Sequence, residues 1–442
     1  MNFSPTAAVR ESTRRWMETA RPFNGVEDIA TPVTIDDYAL DNFATEITQS
    51  ILSNKSLEVT DWDADGWHYS GKNYKCRLPN ESHRELMRME RVALYILSLD
   101  AINFCFWPTP TSTSTSCLSI KNGLEYEHLA IALQKIAEAD DDSLDREGEV
   151  IDVVANIVKA ASSYALSPTS LSTLTSEKIH SMLSDHFPPS TSVHDDSGGE
   201  HLTVYDLPNI EHRCRLLREL GDGLIKHHNG SAFNMLSKAN KSADVLVGII
   251  LETFPGFRDY VDKCNCSENS SNKDWETVKK SQWIVHFYKR AQIATADIWA
   301  ALGRCQATAT ESITDVCKFT DINLLTTFPD YRVPQILRHV GVMKYTPSLA
   351  NIVDTQEELC KGCTDEISIR AGTVLAVEKI VQKVKEKILI IDGASGVRSQ
   401  HDLQKLDDIS AVKIDWYLWQ KGERLDRLNL LGQHHRVNTT FY

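Results

Sequence analysis

Two acids in this chain stand where water should be scarce. Residues 326–331 read TTFPDY, which sets Asp330 between Phe328 and Tyr331 and four residues ahead of Pro334. Residues 414–419 read IDWYLW, which sets Asp415 among Trp, Tyr and Leu. Ionising a carboxyl in apolar surroundings is costly, so such an acid either turns to solvent or has a task. For Asp330 the structural use is a cap or turn. Its chemical use is to accept hydrogen bonds from the N–H edge of a guanine-like ring stacked on Phe328 and Tyr331. For Asp415 the structural use is a solvent-facing position. If it is buried, desolvation raises its pKa and suits it to activating water or stabilising a cationic transition state.

Cations that could hold a phosphate are few near these acids. HFYKRAQ (286–292) offers Lys289 and Arg290, but neighbours on a helix point to different faces, so at most one enters a site. Arg332 and Lys344 compete for the same task. Metal chemistry has a weaker footing. Cys264–Cys266 and Cys360–Cys363 differ in spacing and lie about a hundred residues apart, whereas a zinc site needs four ligands in two compact knuckles. They read as loop thiols, and no metal is expected.

The elements that must position these residues are helices. In FTDINLLTTFPDYRVPQILRHVGVMKYT (319–346), Thr320 or Asp321 can cap a short helix, Pro334 suits the first turn of a second and Gly341 its end. A helix, a tight connection and another helix would present Asp330 and free N–H groups to a ligand. Apolar periodicity predicts further helices over 83–107, 124–139, 150–166 and 210–228, the last with Leu216, Leu217, Leu220 and Leu224 on one face. It also predicts helices over 283–302, with Ile284, Tyr288, Ala291, Thr295, Ile298 and Trp299 in a stripe, and over 371–391 and 410–425. Loops are expected at 187–201, where the chain divides softly, and at 265–274; 109–117 leaves room for one small β-hairpin.

The whole chain bounds the chemistry. Its 442 residues, 42% hydrophobic and 24% charged with mean hydropathy −0.30, suit a large folded core rather than disorder. A formal net charge of −14 argues against a stable nucleic-acid complex and leaves a small anionic ligand in a local basic pocket. No apolar run is long enough to span a bilayer, and the N-terminus lacks the apolar core of a signal peptide. Ten scattered Cys suit a reducing compartment, so cytoplasm is expected, with the nucleus as the other choice. A monomer is expected.

Several blocks together carry a resemblance: LDAINFCFW (99–107), ETFPGFRD (252–259), FYKRAQIATADIW (287–299), the 319–346 stretch, EISIRAGTVLAVE (366–378), IDWYLW and the terminal HHRVNTTFY. The chain resembles the queuosine salvage protein family. The resemblance implies an enzyme that hydrolyses queuosine 5'-phosphate and frees queuine for reinsertion into tRNA, without metal or redox cofactor. It implies an all-α fold, a single helical domain similar to helix-hairpin-helix DNA glycosylases. That domain would span 61–442, after an N-terminal helical region over 1–60, with insertions near 140–149, 187–201 and 264–274. It carries a base pocket onto Phe328 and Asp330, a catalytic carboxylate onto Asp415 and a pocket wall onto Trp416. A pocket His falls on His68, with His83 as the other choice. The family continues Trp-Asp where this chain has Trp419-Gln420, so an amide replaces a negative charge. The expected chemistry is Asp415 stabilising an oxocarbenium-like C1' and activating water, Asp330 holding the base edge, and Lys289 clamping the 5'-phosphate. The rivals are a helical nucleobase-binding protein without catalysis and a DNA-binding helix-hairpin-helix protein; the acidic charge weighs against the second.

Overall fold

The structure, a computed structural model, describes residues 3–19, 31–54, 57, 62, 66–72, 81–107, 119–144, 164–194, 200–262, 274–281, 284–304, 313–394, 406 and 409–442. The main helices, numbered along the chain, are α1 (Pro5–Thr19), α2 (Asp37–Asn54), α3 (Glu81–Ile102), α4 (Tyr126–Leu144) and α5 (Ile210–His228). They continue with α6 (Ala243–Thr253), α7 (Lys289–Ile298), α8 (Arg332–His339), α9 (Thr364–Ala394) and α10 (Ala411–Arg427). Shorter helical turns join them. The all-α expectation holds, with seven short strands as decoration among the described residues.

The apolar stripes explain the packing. Leu216, Leu217, Leu220 and Leu224 of α5 are buried as their spacing predicts, and they join a core that runs from Val9 to Val412. That core takes residues from both sides of the 187–201 stretch. A second core gathers α2, α8, α9 and α10. α1 lies on α9, where the Trp16 indole donates to Ser368 Oγ at 3.0 Å.

Three expectations need correction. The segment 187–201 is not simply a loop. Strands β3 (Thr191–His194) and β4 (Glu200–Val204) pair antiparallel there, and β2 (Ser119–Asn122) adds to β4 in parallel. The expected hairpin position at 109–117, residues 264–273 of the expected loop and most of 150–166 lie outside the described residues. The helix expected over 83–107 ends at Ile102, because Cys105 takes a left-handed φ of 41° that no helix tolerates. Finally, 283–302 is not one helix. Ile284–His286 is strand β6, paired with β5 (Tyr260–Asp262). Three β-branched or ring-bearing residues, all buried, prefer that pleated surface. Tyr288, at φ 52°, then turns the chain from strand into α7. This strained junction aims Lys289 inward.

Candidate active site

The TTFPDY stretch is an extended connection held on every side. Thr326 N–H donates to Gln292 Oε1 at 2.8 Å, and Gln292 Nε2 donates back to Thr326 Oγ1 at 2.9 Å, both residues being buried. Arg370 Nε donates to the Pro329 carbonyl at 3.2 Å. The Arg370 guanidinium also pairs with Asp259 through both nitrogens, Nη1 to Oδ1 at 3.0 Å, with both residues essentially sealed from solvent. Its planar face covers the Phe287 and Tyr442 rings. Arg370→Met would strand the Asp259 charge and release Pro329. Stability is expected to fall by about 3–5 kcal/mol in urea unfolding. A loss under 1 kcal/mol would show that the pair is dispensable.

Both acids singled out in the sequence are buried here, 9% exposed at Asp330 and 3% at Asp415. One oxygen of each is tied to the scaffold. Asp330 Oδ1 accepts from the Arg332 and Val333 N–H groups, each at 2.9 Å, and so caps α8. Asp415 Oδ1 accepts from the Phe328 N–H at 2.7 Å and from the Thr327 hydroxyl. The other oxygen of each acid accepts no hydrogen bond among the described residues. The cap use and the pocket use of Asp330 thus coexist.

These acids line a single pocket with Phe328 and Tyr331 of the connection and with Lys289, Ile293 and Asp297 of α7. α7 presents those three at i, i+4 and i+8, one face of a helix. α10 adds Trp416, Trp419 and Gln420 beside Asp415, again one face, while Ile414, Tyr417 and Leu418 bury the opposite one. Trp62, Trp67, His68, Tyr126 and the irregular Asn103–Phe106 segment close the rest, together with Tyr442. His68 is fixed between neighbours. Its Nδ1 lies 2.5 Å from the Trp62 carbonyl, its Nε2 lies 3.0 Å from the Tyr126 hydroxyl, and its ring stacks on Trp62 at 4.2 Å. His83, the other choice, lies in the first turn of α3, and its side chain is outside what the structure describes.

Of the four cations considered, Lys289 alone lines the pocket. Arg290 turns away and donates to the Ala101 and Gly256 carbonyls. Arg332 is paired with Glu423 at 2.7 Å and Asp426 at 3.0 Å, and Lys344 is paired with Asp36 outside. Asp321 is a cap, but for a distant helix: it accepts from the Ala243 N–H at the start of α6. Cys360 and Cys363 bracket a tight turn, Cys363 N–H to Cys360 carbonyl at 3.1 Å, and Cys264 and Cys266 lie outside the described residues. Among the described residues no His, Cys, Asp or Glu group is arranged to hold a metal, and no helix is long and apolar enough to cross a membrane.

Electrostatics separates the two acids. Burial pushes Asp415 up to about 8, with the Asp330 charge adding to the rise and the Thr327 and Phe328 hydrogen bonds opposing it. Asp330 is raised by burial too, but Lys289 and the two α8 N–H groups hold it down. Of the two, Asp415 is the acid that the surroundings favour as the proton carrier, and Lys289 and the α8 N–H groups favour the charge on Asp330. Lys289 is pulled down by burial and held up by Asp330 and Asp100.

Asp297, Asn103, Tyr126, Trp419 and Tyr442 were not foreseen as pocket residues. Asp297 carried a signal of the same kind as Asp415, an acid inside an apolar helix at i+8 from Lys289. The others carried none, because their approach is set by tertiary packing.

The profile of the family described as "Queuosine salvage protein" matches residues 82–442. This chain belongs to that family. A Dictyostelium discoideum protein named queuosine 5'-phosphate N-glycosylase/hydrolase is 31% identical over 441 residues, covering 99% of this chain and 100% of that one. Its namesake from Sphaerobacter thermophilus is 29% identical over 353 residues, 80% of this chain and 82% of its own. The mouse protein of that name is 32% identical over 241 residues, 54% of this chain and 60% of its own. The family match begins at residue 82, so Trp62, Trp67 and His68 of the pocket wall precede it.

Proposed function

We propose that this chain hydrolyses the N-glycosidic bond of queuosine 5'-phosphate, releasing the base queuine for salvage into tRNA. One observation carries the reading: two buried carboxylates, each tied to the scaffold by one oxygen, line the same aromatic-walled pocket. Phe328 and Trp416 supply flat faces for the deazaguanine ring. Breaking the bond leaves positive charge at C1' and electron density on a ring that lacks N7 and so cannot be protonated there. The two acids match those needs when their protonation states differ.

The electrostatics favours a division of labour other than the one expected from the sequence. Asp330, the ionised member, faces the developing cation and takes a proton from the attacking water. Asp415, the protonated member, hydrogen-bonds the base edge and hands over its proton as the C1'–N9 pair moves onto the ring. Water supplies OH to C1' and H to Asp330, so the products are ribose 5-phosphate and the neutral base. Proton exchange with solvent resets the pair. Gln420 can hydrogen-bond a hydroxyl or ring atom but adds no charge. His68 and Tyr331 complete the wall.

Lys289, the one cation in the lining among the described residues, takes the 5'-phosphate. Lys289→Met is expected to raise KM for the 5'-phosphate at least tenfold while moving KM for the unphosphorylated nucleoside little. Equal effects on both would remove Lys289 from that role. The acidic chain acts on the free nucleotide as a cytoplasmic monomer, with no stable nucleic-acid complex. Chromatographic detection of queuine after incubation with queuosine 5'-phosphate tests the central claim. Saturable binding without release would make this a nucleobase-binding protein instead.

A further inference from the structure

One acidic pair in the pocket region is left unused by that mechanism. Asp297 is 5% exposed and lines the pocket two turns along α7 from Lys289, a rise of about 12 Å. Asp100, near the end of α3, is fully buried, and neither of its oxygens accepts a hydrogen bond of normal geometry. Burial pushes both carboxyls up; the Asp297 charge adds to the rise at Asp100, while Trp62 and Lys289 oppose it at Asp297. Lys289 cannot balance them alone, since Asp330 and the substrate phosphate draw on the same ammonium. Arg290, the next cation, is committed to two carbonyls. Around the pocket stand ring faces: Trp62 stacked on His68, and Tyr126 meeting Trp419 edge-on at 5.8 Å. Carboxylates beside aromatic faces are the composition that binds an organic cation.

The substrate named for the relatives contains one such cation. Queuine differs from 7-deazaguanine by an aminomethyl-linked cyclopentenediol, and its secondary amine is protonated at neutral pH. We propose that Asp297, with Asp100 behind it, is the counter-charge for this ammonium and so sets the preference for queuine over a bare deazaguanine. This rests on the functional reading above and adds the group that discriminates among 7-deazaguanine nucleotides.

Calorimetry on the full chain tests it without turnover. Wild type is expected to bind queuine at least 30-fold tighter than the analogue in which CH2 replaces the amine NH. Asp297→Asn is expected to shrink that ratio to threefold or less. Equal wild-type affinity for the two ligands, or a ratio that survives in a folded Asp297→Asn variant, would overturn the proposal. If Asp297→Asn does not fold, the wild-type ratio alone decides. Kinetics then separates the two readings. Release of queuine with no amine preference sinks the ammonium site only; an amine preference without release sinks the hydrolase only.

Discussion

Asp330→Asn is expected to slow queuine release by about a thousandfold or more while the fold and ligand affinity persist. The expected magnitude combines loss of an electrostatic stabiliser aimed at C1' with loss of the base that takes the water proton. The amide keeps one oxygen for the Arg332 and Val333 N–H groups, so the α8 cap survives. Asp330→Ala would lose the cap as well, costing roughly 0.5–2 kcal/mol and confounding the result. Single-turnover release with saturating queuosine 5'-phosphate, alongside calorimetric binding, is the measurement. Residual turnover within tenfold of wild type would return the C1' role to Asp415. The paired variant Asp415→Asn distinguishes the two carboxyls. Its amide still presents a donor to the base edge but has no proton to give, so it should lose kcat without losing affinity.

Asp415→Asn should also make the ligand-free protein more stable than wild type in mild alkali. Asp415 rises from an ordinary value of 3.8 to about 8 on folding, so the folded state holds a proton that the unfolded chain releases. The sign follows. The stability tied to this proton is fully present below the unfolded value, declines as pH rises, and is gone once pH passes about 8. At 1.36 kcal/mol per unit, the span has a ceiling on the order of 5 kcal/mol from this group. Asn mimics the protonated acid and should flatten that decline. Urea unfolding at pH 5 and pH 8.5 measures it. A variant less stable than wild type at both would mean that Asp415 is held ionised by the fold. Activity should fall on the same alkaline limb as the donor proton is lost.

How much of this was legible in the sequence depended on the physics behind each signal. Burial of Asp330 and Asp415 could be read because both acids sit among apolar neighbours, and a local pattern is enough to raise the question. The α5 stripe and the ends of α8 at Pro334 and Gly341 were legible for the same reason. What local pattern could not supply was the partner across space. Asp321 looked like a cap for its own turn, yet it caps α6, reached through 78 positions of chain. Ile284–His286 shares its apolar character with the helix after it, so only pairing with β5 reveals a strand. The roles proposed for the two acids were equally hidden. They depend on which backbone N–H groups each meets and on Lys289, all of which are contacts rather than spacings. Gln420, a departure by family resemblance, still lines the pocket.

The pocket wall takes side chains from Trp62 through Tyr442, and no single segment of chain holds a working portion of it. Arg370 of α9 clamps the carbonyl before Asp330 while paired with Asp259, and the Tyr442 hydroxyl donates to Glu366 Oε1 at 3.1 Å across 76 positions of chain. Such long-range closures are entropically late events in folding. Catalysis should therefore be the last property to return on refolding and the first to be forfeited under denaturing stress.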